Sequence, residues 1–246
     1  MPDINNFTVI ESIYGRFVVN RHCDFQAEAL IKTGRPHIQS ELDIQLTIAD
    51  TLPEGAFVVD VGANIGLVAI PLAQRLKPRR GTVLAFEVQR MIHYALCAGA
   101  ALNDLDNLFT FHQGLGAQAR VEHMATLDYG ASQDFGTFSL LSQPTERNEA
   151  VQILTLDQLG LPRLDYLKID VEGMEMEVLA GGKAMIARHR PWCWIEYWKV
   201  GAETIAGAFA GLDYQFYKAD DLNLLCAPSD RLAVSGLRFD GPGISA

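Results

Sequence analysis

The sequence has 246 residues, of which 49% are hydrophobic and 20% charged, so it can form one domain with a substantial core but not two domains of ordinary size. Its net charge of −10, without a basic stripe, disfavours nucleic acid and anionic membranes as partners. The four cysteines are far apart and form no C-x-x-C motif, which argues against a zinc site or a disulfide framework. Free thiols and the lack of a signal-peptide pattern predict a cytoplasmic protein.

The first 54 residues are predicted to form a cap over a ligand site. The predicted elements are a β-hairpin over residues 7–20, a helix over 24–33 that Asp24 caps and Gly34 ends, and a helix over 41–51. Ser40 is a suitable N-cap for the second helix, and Glu41 gives it an acidic first turn. His37, Ser40 and Glu41 could reach a ligand from this cap, although Ser40 and Glu41 could equally serve the helix alone.

The stretch FVVDVGANIG, residues 57–66, predicts a buried central strand of a parallel sheet and a tight turn after it. Gly62 and Gly66 bracket the turn, and a helix over 65–76 is expected to follow. A strand, a glycine turn and a helix start direct backbone N–H groups into one crevice. Asn64 stands where a dinucleotide motif has its middle glycine, so D-x-G-x-N-x-G resembles the first motif of class I methyltransferases, which use S-adenosylmethionine. A glycine turn that binds nothing is the alternative.

Strands and helices alternate through the rest of the chain. The predicted strands are 82–88, 108–114, 164–173, 192–198 and a hairpin over 214–228 that turns at Asp220 and Asp221, and the predicted helices are 90–103 and 174–189. Residues 117–150 are irregular and are expected to shape substrate specificity, with a short strand at GTFSLLS, residues 136–142. The alternation predicts an α/β fold with a mostly parallel seven-stranded sheet, helices on both faces and a C-terminal antiparallel hairpin. We expect one domain over residues 1–246, with its core over 55–246.

Two polar residues near the ends of predicted strands favour a nucleoside ligand. Glu87 lies 21 positions after Gly66, where an acid at the end of the second strand can accept two hydrogen bonds from a ribose diol. Gln113 falls at the end of the third strand, where the edge of a base is expected. A solvated acid at the rim of the sheet is the alternative for Glu87.

Charged residues come near the ends of several predicted strands. Asp60, Asp170 and Glu196 meet in one crevice if the strand order is 3-2-1-4-5, and Lys168 shares a strand face with Asp170. A buried lysine needs an acid beside it, so a structural ion pair is one interpretation. In the other, close carboxylates raise one another's proton affinity, so that one acts as a general base while another holds a cationic ligand group. Three acids could also hold a divalent ion, but no H-x-x-H pattern supports a metal and none is predicted.

Five blocks in the chain resemble the FkbM-type methyltransferase family in order and spacing. They are VVDVGANIG, VLAFE, LNDLDNLFTFHQGLGA, ILTLDQL and YLKIDVEGMEMEVLAGG, and together they span residues 58–182. The resemblance implies a Rossmann-like class I fold, S-adenosylmethionine as the methyl donor and, most often, O-methylation of a hydroxyl on a sugar or natural product. By position, it implies that Asp60, Gly62, Asn64 and Gly66 line the methionine and ribose portion, that Glu87 holds the ribose hydroxyls, and that Asp170 and Glu172 face the methyl-transfer crevice. The chain departs from the family's pattern at Val88 and Ala117.

The preferred hypothesis is an enzyme that methylates a hydroxyl of a small molecule. Asp170 is the candidate general base, with Glu172 or His37 in reserve and Lys168 beside them. An amide or amine acceptor, for example in a peptide, is an alternative within the same class. A nicotinamide-dependent dehydrogenase is disfavoured by the missing glycine, and a cofactor-binding protein without an acceptor site is the non-enzymatic alternative. The sequence leaves the acceptor molecule and the oligomeric state open.

Overall fold

The computed structural model of the protein describes residues 5–23, 26–132, 134–136 and 148–239. Its strands are β1 Phe7–Ser12, β2 Gly15–Asn20, β3 Phe57–Val61, β4 Thr82–Phe86, β5 Leu108–Phe111, β6 Gln113–Leu115, β7 Arg120–Ala125, β8 Asn148–Leu154, β9 Tyr166–Ile169, β10 Trp192–Glu196, β11 Tyr214–Lys218 and β12 Asn223–Pro228. Its α-helices are α1 Gln26–Thr33, α2 Gln39–Thr51, α3 Ala69–Leu76, α4 Arg90–Leu102, α5 Glu175–Gly181, α6 Lys183–His189, α7 Ala202–Gly207 and α8 Ser229–Ser235. Short 3₁₀ helices span Lys77–Arg79 and Leu156–Leu159.

Seven strands form the main sheet, in the order β11-β12-β10-β9-β3-β4-β5. The pairs β3–β4, β4–β5, β3–β9 and β9–β10 are parallel, which confirms the predicted order for the first five strands of the core. The C-terminal hairpin extends the sheet beside β10, and its second strand, β12, pairs antiparallel with both β10 and β11. All residues of β12 are buried, whereas β11 at the sheet edge is partly exposed, so the hairpin places its more apolar strand inside.

Helices cover both faces of this sheet, as the alternating pattern predicts. Val58, Tyr166 and Trp194 belong to a core that includes residues of α2, α3, α4 and β2. The next residues along the same strands point to the other face, where α5, α6 and α7 contribute apolar side chains. Burial on both faces explains why these strands are almost continuously hydrophobic in sequence.

The helix after the central strand starts later than predicted. α3 begins at Ala69 rather than at Ile65, because Asn64 and Gly66 have left-handed backbone conformations with φ of 50° and 91°. A right-handed helix cannot contain such residues. Residues 62–68 therefore form a long turn between β3 and α3.

The predicted N-cap at Ser40 is wrong. α2 begins at Gln39, and its N-cap is Ile38, which makes no side-chain capping bond. The carbonyl of Ile38 accepts the first helical hydrogen bond from the N–H of Leu42 at 2.9 Å. Ser40 therefore lies inside the first turn, together with Glu41.

Two predicted elements are divided in the structure. The predicted strand over 108–114 becomes β5 and β6, and β6 leaves the main sheet for a three-stranded sheet of order β6-β8-β7. The predicted helix over 174–189 becomes α5 and α6, which meet at Gly182. A Cβ at this position would lie 2.6 Å from Cδ2 of Leu156, so close packing against Leu156 requires glycine here.

The predicted cap at Asp24 and the predicted strand GTFSLLS beyond Gly136 lie outside the described residues. Within the described ranges, no helix has both the length and the apolar character that crossing a bilayer requires.

Candidate active site

A cavity of about 440 Å³, called the crevice below, lies at the carboxyl ends of β3, β4, β9 and β10. The chain runs from β3 to β4 and β5 on one side and returns to β9 on the other, so the crevice lies where the strand order reverses. Open α/β sheets bind ligands at this point, in pockets of roughly 300 to 1,000 Å³. Ile38, Glu41 and Gln45 of α2 also line the crevice, and Trp198 and Leu222 lie exposed at its rim.

The glycine turn after β3 brings two backbones unusually close together. Gly62 has a φ of 78°, and a Cβ there would lie 1.8 Å from the carbonyl oxygen of Asp170. Gly62 and Asn64 line the crevice. Gly66 does not, because it lies against α4, where a Cβ would meet Cδ1 of Leu96 at 2.7 Å. Gly66 is therefore placed as a packing residue behind the turn.

The carboxylate of Glu87 joins the ends of β3 and β4. Its Oε2 accepts a hydrogen bond from the N–H of Asn64 at 2.9 Å, and its Oε1 accepts one from the N–H of Gln89 at 2.7 Å. Glu87 is only 4% exposed, and burial raises its pKa to about 7 against the opposing effect of these two N–H groups. Each carboxylate oxygen can accept a second hydrogen bond, so Glu87 can still receive donors from a ligand in the crevice.

Gln89 lines the crevice beside Glu87, although it was not among the predicted site residues. Its side chain is buried, and its Nε2 donates to the carbonyl of Phe135 at 2.7 Å. Its Oε1 is also buried and has no hydrogen-bond partner among the described residues. Leaving a buried carbonyl oxygen without a donor is unfavourable, so this atom is suited to a donor from a ligand.

Lys168 is buried beneath the crevice between two acids. Its Nζ lies 3.3 Å from Oδ1 of Asp60 and 3.3 Å from Oδ2 of Asp170, and it donates to the carbonyl of Gly62 at 2.9 Å. Burial alone would lower the pKa of Lys168, but Asp170 and Asp60 outweigh burial and raise it. Burial raises the pKa of Asp60, and Lys168 opposes that rise. These contacts form the structural ion pair that was one interpretation of the sequence. Asp60 is fully buried and does not line the crevice.

Three acids converge above this lysine. One carboxylate oxygen from each of Asp170, Glu172 and Glu196 lies within 4.8 Å of the other two. Glu172 forms an ion pair with Lys199; burial raises the pKa of Glu172, and Lys199 opposes the rise. Burial also raises the pKa of Glu196, to about 8, with Asp170 and Glu172 adding to the effect.

Of four further residues named in the sequence analysis, three line the crevice and one does not. Glu41 lines the crevice, accepts a hydrogen bond from Nδ2 of Asn223 at 3.0 Å, and has a pKa raised to about 7 by burial and by Asp220. His37 and Gln113 line the crevice as well, whereas Ser40 does not. Nε2 of Gln113 donates to Oε1 of Gln152 at 2.9 Å, so its side chain is already engaged in the smaller sheet.

Residues 60–217 match the family model of the methyltransferase FkbM domain. The chain belongs to this family. The match includes the glycine turn, Glu87, Lys168 and the three convergent acids, so most of the crevice lies within the matched range. The membership confirms the resemblance found in the sequence, and it agrees with the expectation of S-adenosylmethionine as the cofactor.

Curated relatives share about half of the chain. The chain is 30% identical over 167 residues to methyltransferase sdnD of Sordaria araneosa, which covers 53% of this chain and 61% of the relative. It is 35% identical over 166 residues to AMB antimetabolite synthetase AmbE of Pseudomonas aeruginosa, covering 53% of this chain and 8% of that protein. The chain thus spans less than two thirds of the length of either relative.

The solved structure of methyltransferase FkbM from Methylobacillus flagellatus shares the fold. It superposes with a TM-score of 0.50 at 17% identity and covers 71% of this chain and 44% of that chain. This similarity confirms the predicted class I α/β architecture.

Among the residues predicted to form the site, most come together in the crevice. Those that line it are Glu41, Gly62, Asn64, Glu87, Gln113, Lys168, Asp170 and Glu172, and those that lie behind it are Asp60 and Gly66. Gln89 lines it too but was not predicted, and its position two residues after Glu87 could have revealed it. Glu196, which the sequence placed in the crevice beside Asp170 without a role of its own, also lines it.

Proposed function

We propose that this FkbM-family chain transfers a methyl group from S-adenosylmethionine to a hydroxyl of a sugar or natural product. The observation that carries the proposal is the link between the glycine turn and Glu87: the buried carboxylate accepts the N–H of Asn64 and faces the crevice. The family match supports methyl transfer, and the cavity volume suits a ligand of this size.

The residues of the crevice fit an adenosyl ligand. Glu87 would hold the ribose hydroxyls, since each of its oxygens has room for one more donor. The unpartnered Oε1 of Gln89, buried beside it, would accept a hydrogen bond from the same nucleoside. Gly62 and Asn64 line the crevice, so the backbone of the turn would lie beside the methionine portion.

The charge of the crevice also suits this cofactor. When bound, S-adenosylmethionine supplies an activated methyl group on a positively charged sulfur. Glu41, Asp170, Glu172 and Glu196 face the cavity, and Lys168 is the one lysine that lines it among the described residues. The surplus of carboxyl groups would attract a cationic ligand, and the apolar surfaces of Trp194 and Trp198 would limit the access of water.

The chain's main contribution would be alignment of donor and acceptor. Correct alignment can lower a barrier by roughly 7 to 11 kcal/mol relative to reactants free in solution. A hydroxyl acceptor must also lose its proton to a nearby base. Asp170 is the base that the sequence favours, and in the structure its carboxylate is engaged by Lys168. We also infer that residues 1–54 form a cap, since α2 contributes a wall of the crevice.

The decisive experiment supplies the chain with S-adenosylmethionine carrying a labelled methyl group and with extracts of the source. We expect one labelled small molecule, and mass spectrometry will locate the methyl group on oxygen. A methyl group on nitrogen would support the amide or amine alternative instead. Normal cofactor binding without any labelled product in a broad acceptor screen would favour a binding protein that has no acceptor site.

A binding comparison separates this function from that of a dehydrogenase. S-adenosylhomocysteine, the demethylated product, should raise the melting temperature, because a ligand at 100 times its Kd stabilises a protein by about 2.7 kcal/mol. NAD at the same concentration should have no effect. Stabilisation by NAD alone would contradict the proposal.

A further inference from the structure

Glu196 lies at the carboxyl end of β10, a strand inside the main sheet. It is the last residue of β10 and lines the crevice. Trp194 shares its strand face, since side chains two positions apart point the same way. In the register of the sheet, Trp194 lies opposite Lys168 of β9, and Glu196 lies opposite Asn223 of β12. Trp194 is 1% exposed, so an indole ring forms an apolar floor beside the carboxylate of Glu196.

The lysines near the three convergent acids serve only two of them. Lys168 engages Asp170, and Lys199 engages Glu172. Glu196 forms no ion pair in the described part of the chain, and its buried Oε2 has no hydrogen-bond partner there. It is therefore the one acid of the three that is still available to accept a proton or a cationic group.

The surroundings of Glu196 bring its pKa close to neutral pH. The charged or titratable groups that face it are Lys168 from β9, Asp170 and Glu172 from the loop that follows, and Glu175 from α5, and Glu41 of α2 lines the same crevice. Burial and the three acids Asp170, Glu172 and Glu175 together raise the pKa of Glu196 to about 8, and Lys168 opposes them. A general base works best when its pKa is close to the working pH.

A separate observation points to a ligand in this crevice. The buried Oε1 of Gln89 lacks a donor in the described chain and lies in the wall of the same cavity. Gln89 is 4% exposed, so water does not reach it freely. The crevice therefore leaves one acceptor open beside Glu87 and a second one open on Glu196.

We propose that Glu196, rather than Asp170, is the general base, an inference that rests on the proposed methyl transfer. The acceptor oxygen forms a bond to the methyl carbon as the carbon–sulfur bond breaks, and the electron pair of that bond stays on sulfur. The hydroxyl proton passes to the carboxylate of Glu196 and is released to water after the product leaves. Asp170 and Glu172 keep their ion pairs and hold the walls of the crevice in place.

Two analogues of the cofactor test this role without an acceptor. S-adenosylhomocysteine lacks the methyl group, whereas sinefungin carries an amino group near the position of that methyl. Ionised Glu196 should bind the protonated amino group by a charge-assisted hydrogen bond. The affinity of the full chain for sinefungin, relative to its affinity for S-adenosylhomocysteine, should rise about tenfold between about pH 6.5 and about pH 8.5. Titration calorimetry with both analogues at each pH measures this gain.

The variant Glu196→Gln should abolish this gain, because an amide does not ionise. Its binding of S-adenosylhomocysteine checks that the crevice is folded. Glu203→Gln, which removes an exposed acid outside the crevice, is the matched control and should keep the gain. The pH dependence of the unaltered protein needs no variant, so the proposal can be tested even if Glu196→Gln does not fold.

Several results would overturn the role of Glu196. The first is an affinity for sinefungin, relative to that for S-adenosylhomocysteine, that does not change with pH in the unaltered protein. The second is an increase of this relative affinity with pH that Glu196→Gln retains in full. The third is an increase that Asp170→Asn abolishes and Glu196→Gln retains. Binding of Mg²⁺ that is lost in Glu196→Gln would make the three acids a metal site instead. If neither analogue binds, the proposed function itself is wrong, and this inference is overturned with it.

Discussion

The carboxylate of Glu87 fixes the glycine turn before any ligand is present. It receives the N–H groups of Asn64 and Gln89, so the ends of β3 and β4 keep a constant separation. A ribose diol would then meet a preformed acceptor that loses little conformational entropy on binding.

Replacing Glu87 by Ala should weaken the binding of S-adenosylhomocysteine by about 1.5 to 3 kcal/mol, the range for hydrogen bonds to a charged group. Titration calorimetry measures the difference directly. Glu54→Ala is the control, because Glu54 lies outside the crevice and forms only an exposed ion pair with Arg80. An unchanged affinity in Glu87→Ala would exclude Glu87 from ribose binding.

Gly62 offers a second test at the scale of one residue. Gly62→Ala should destabilise the fold by at least about 1 to 3 kcal/mol, because it adds backbone strain at a φ of 78° and a Cβ that overlaps the carbonyl of Asp170. Gly207→Ala is the matched change, since a Cβ at Gly207 meets nothing within 4 Å. In urea unfolding, Gly62→Ala alone should lower the free energy of unfolding. Equal free energies for the two variants would contradict the close approach of Gly62 to the carbonyl of Asp170.

Between elements, Lys168 joins β3 to β9 through Asp60 and also holds Asp170 at the crevice. Lys168→Met should lower the free energy of unfolding by about 3 to 5 kcal/mol, because it leaves the fully buried Asp60 without its cation. Adding Asp60→Asn should restore part of this loss. Lys183→Met, on an exposed face of α6, should change the unfolding free energy by less than about 0.5 kcal/mol.

Denaturant unfolding of the two Lys168 variants would check this coupling. If Lys168→Met were as stable as the unaltered protein, or if Asp60→Asn gave no recovery, the ion pair would not be what joins these strands.

Local chemistry made some elements visible in the sequence, although it misplaced the N-cap of α2 and the start of α3. The buried strand and glycine turn over residues 57–66 are visible because β-branched residues and glycine have strong backbone preferences. The boundary at Gly182 was missed, because it depends on contact with Leu156, a residue distant in sequence. The transfer of β6 to a second sheet was missed for the same reason, since its partner β8 comes more than thirty residues later.

Over the whole molecule, three carboxyl groups predict how stability depends on pH. The pKa is raised to about 7 for Glu41 and Glu87 and to about 8 for Glu196, mainly by burial. An ordinary glutamate titrates near 4.5. Between about pH 4.5 and pH 8 these three groups bind more protons in the folded chain than in the unfolded chain, so the stability that they contribute falls as the pH rises through that window. The lowered pKa values of His37, His93 and His189 oppose this trend.

Melting temperatures measured across this range should decline toward the alkaline end. The decline should be smaller in Glu196→Gln, because this side chain stays neutral and contributes no pH dependence. Melting temperatures that rise steadily through the window would contradict the raised pKa values.

The sequence by itself determined the buried strands, the glycine turn and the acid at the end of the second core strand. These features depend on hydrophobic periodicity and on the backbone preferences of single residues, which neighbours in the chain already express. The strand order was the one that the resemblance to class I methyltransferases implies, and the structure confirms it. Only the tertiary structure decided which acids line the crevice. Asp60 lies behind Lys168, and Glu196 forms no ion pair with another described residue, because the register of β3, β9 and β10 sets the distances between their charged groups.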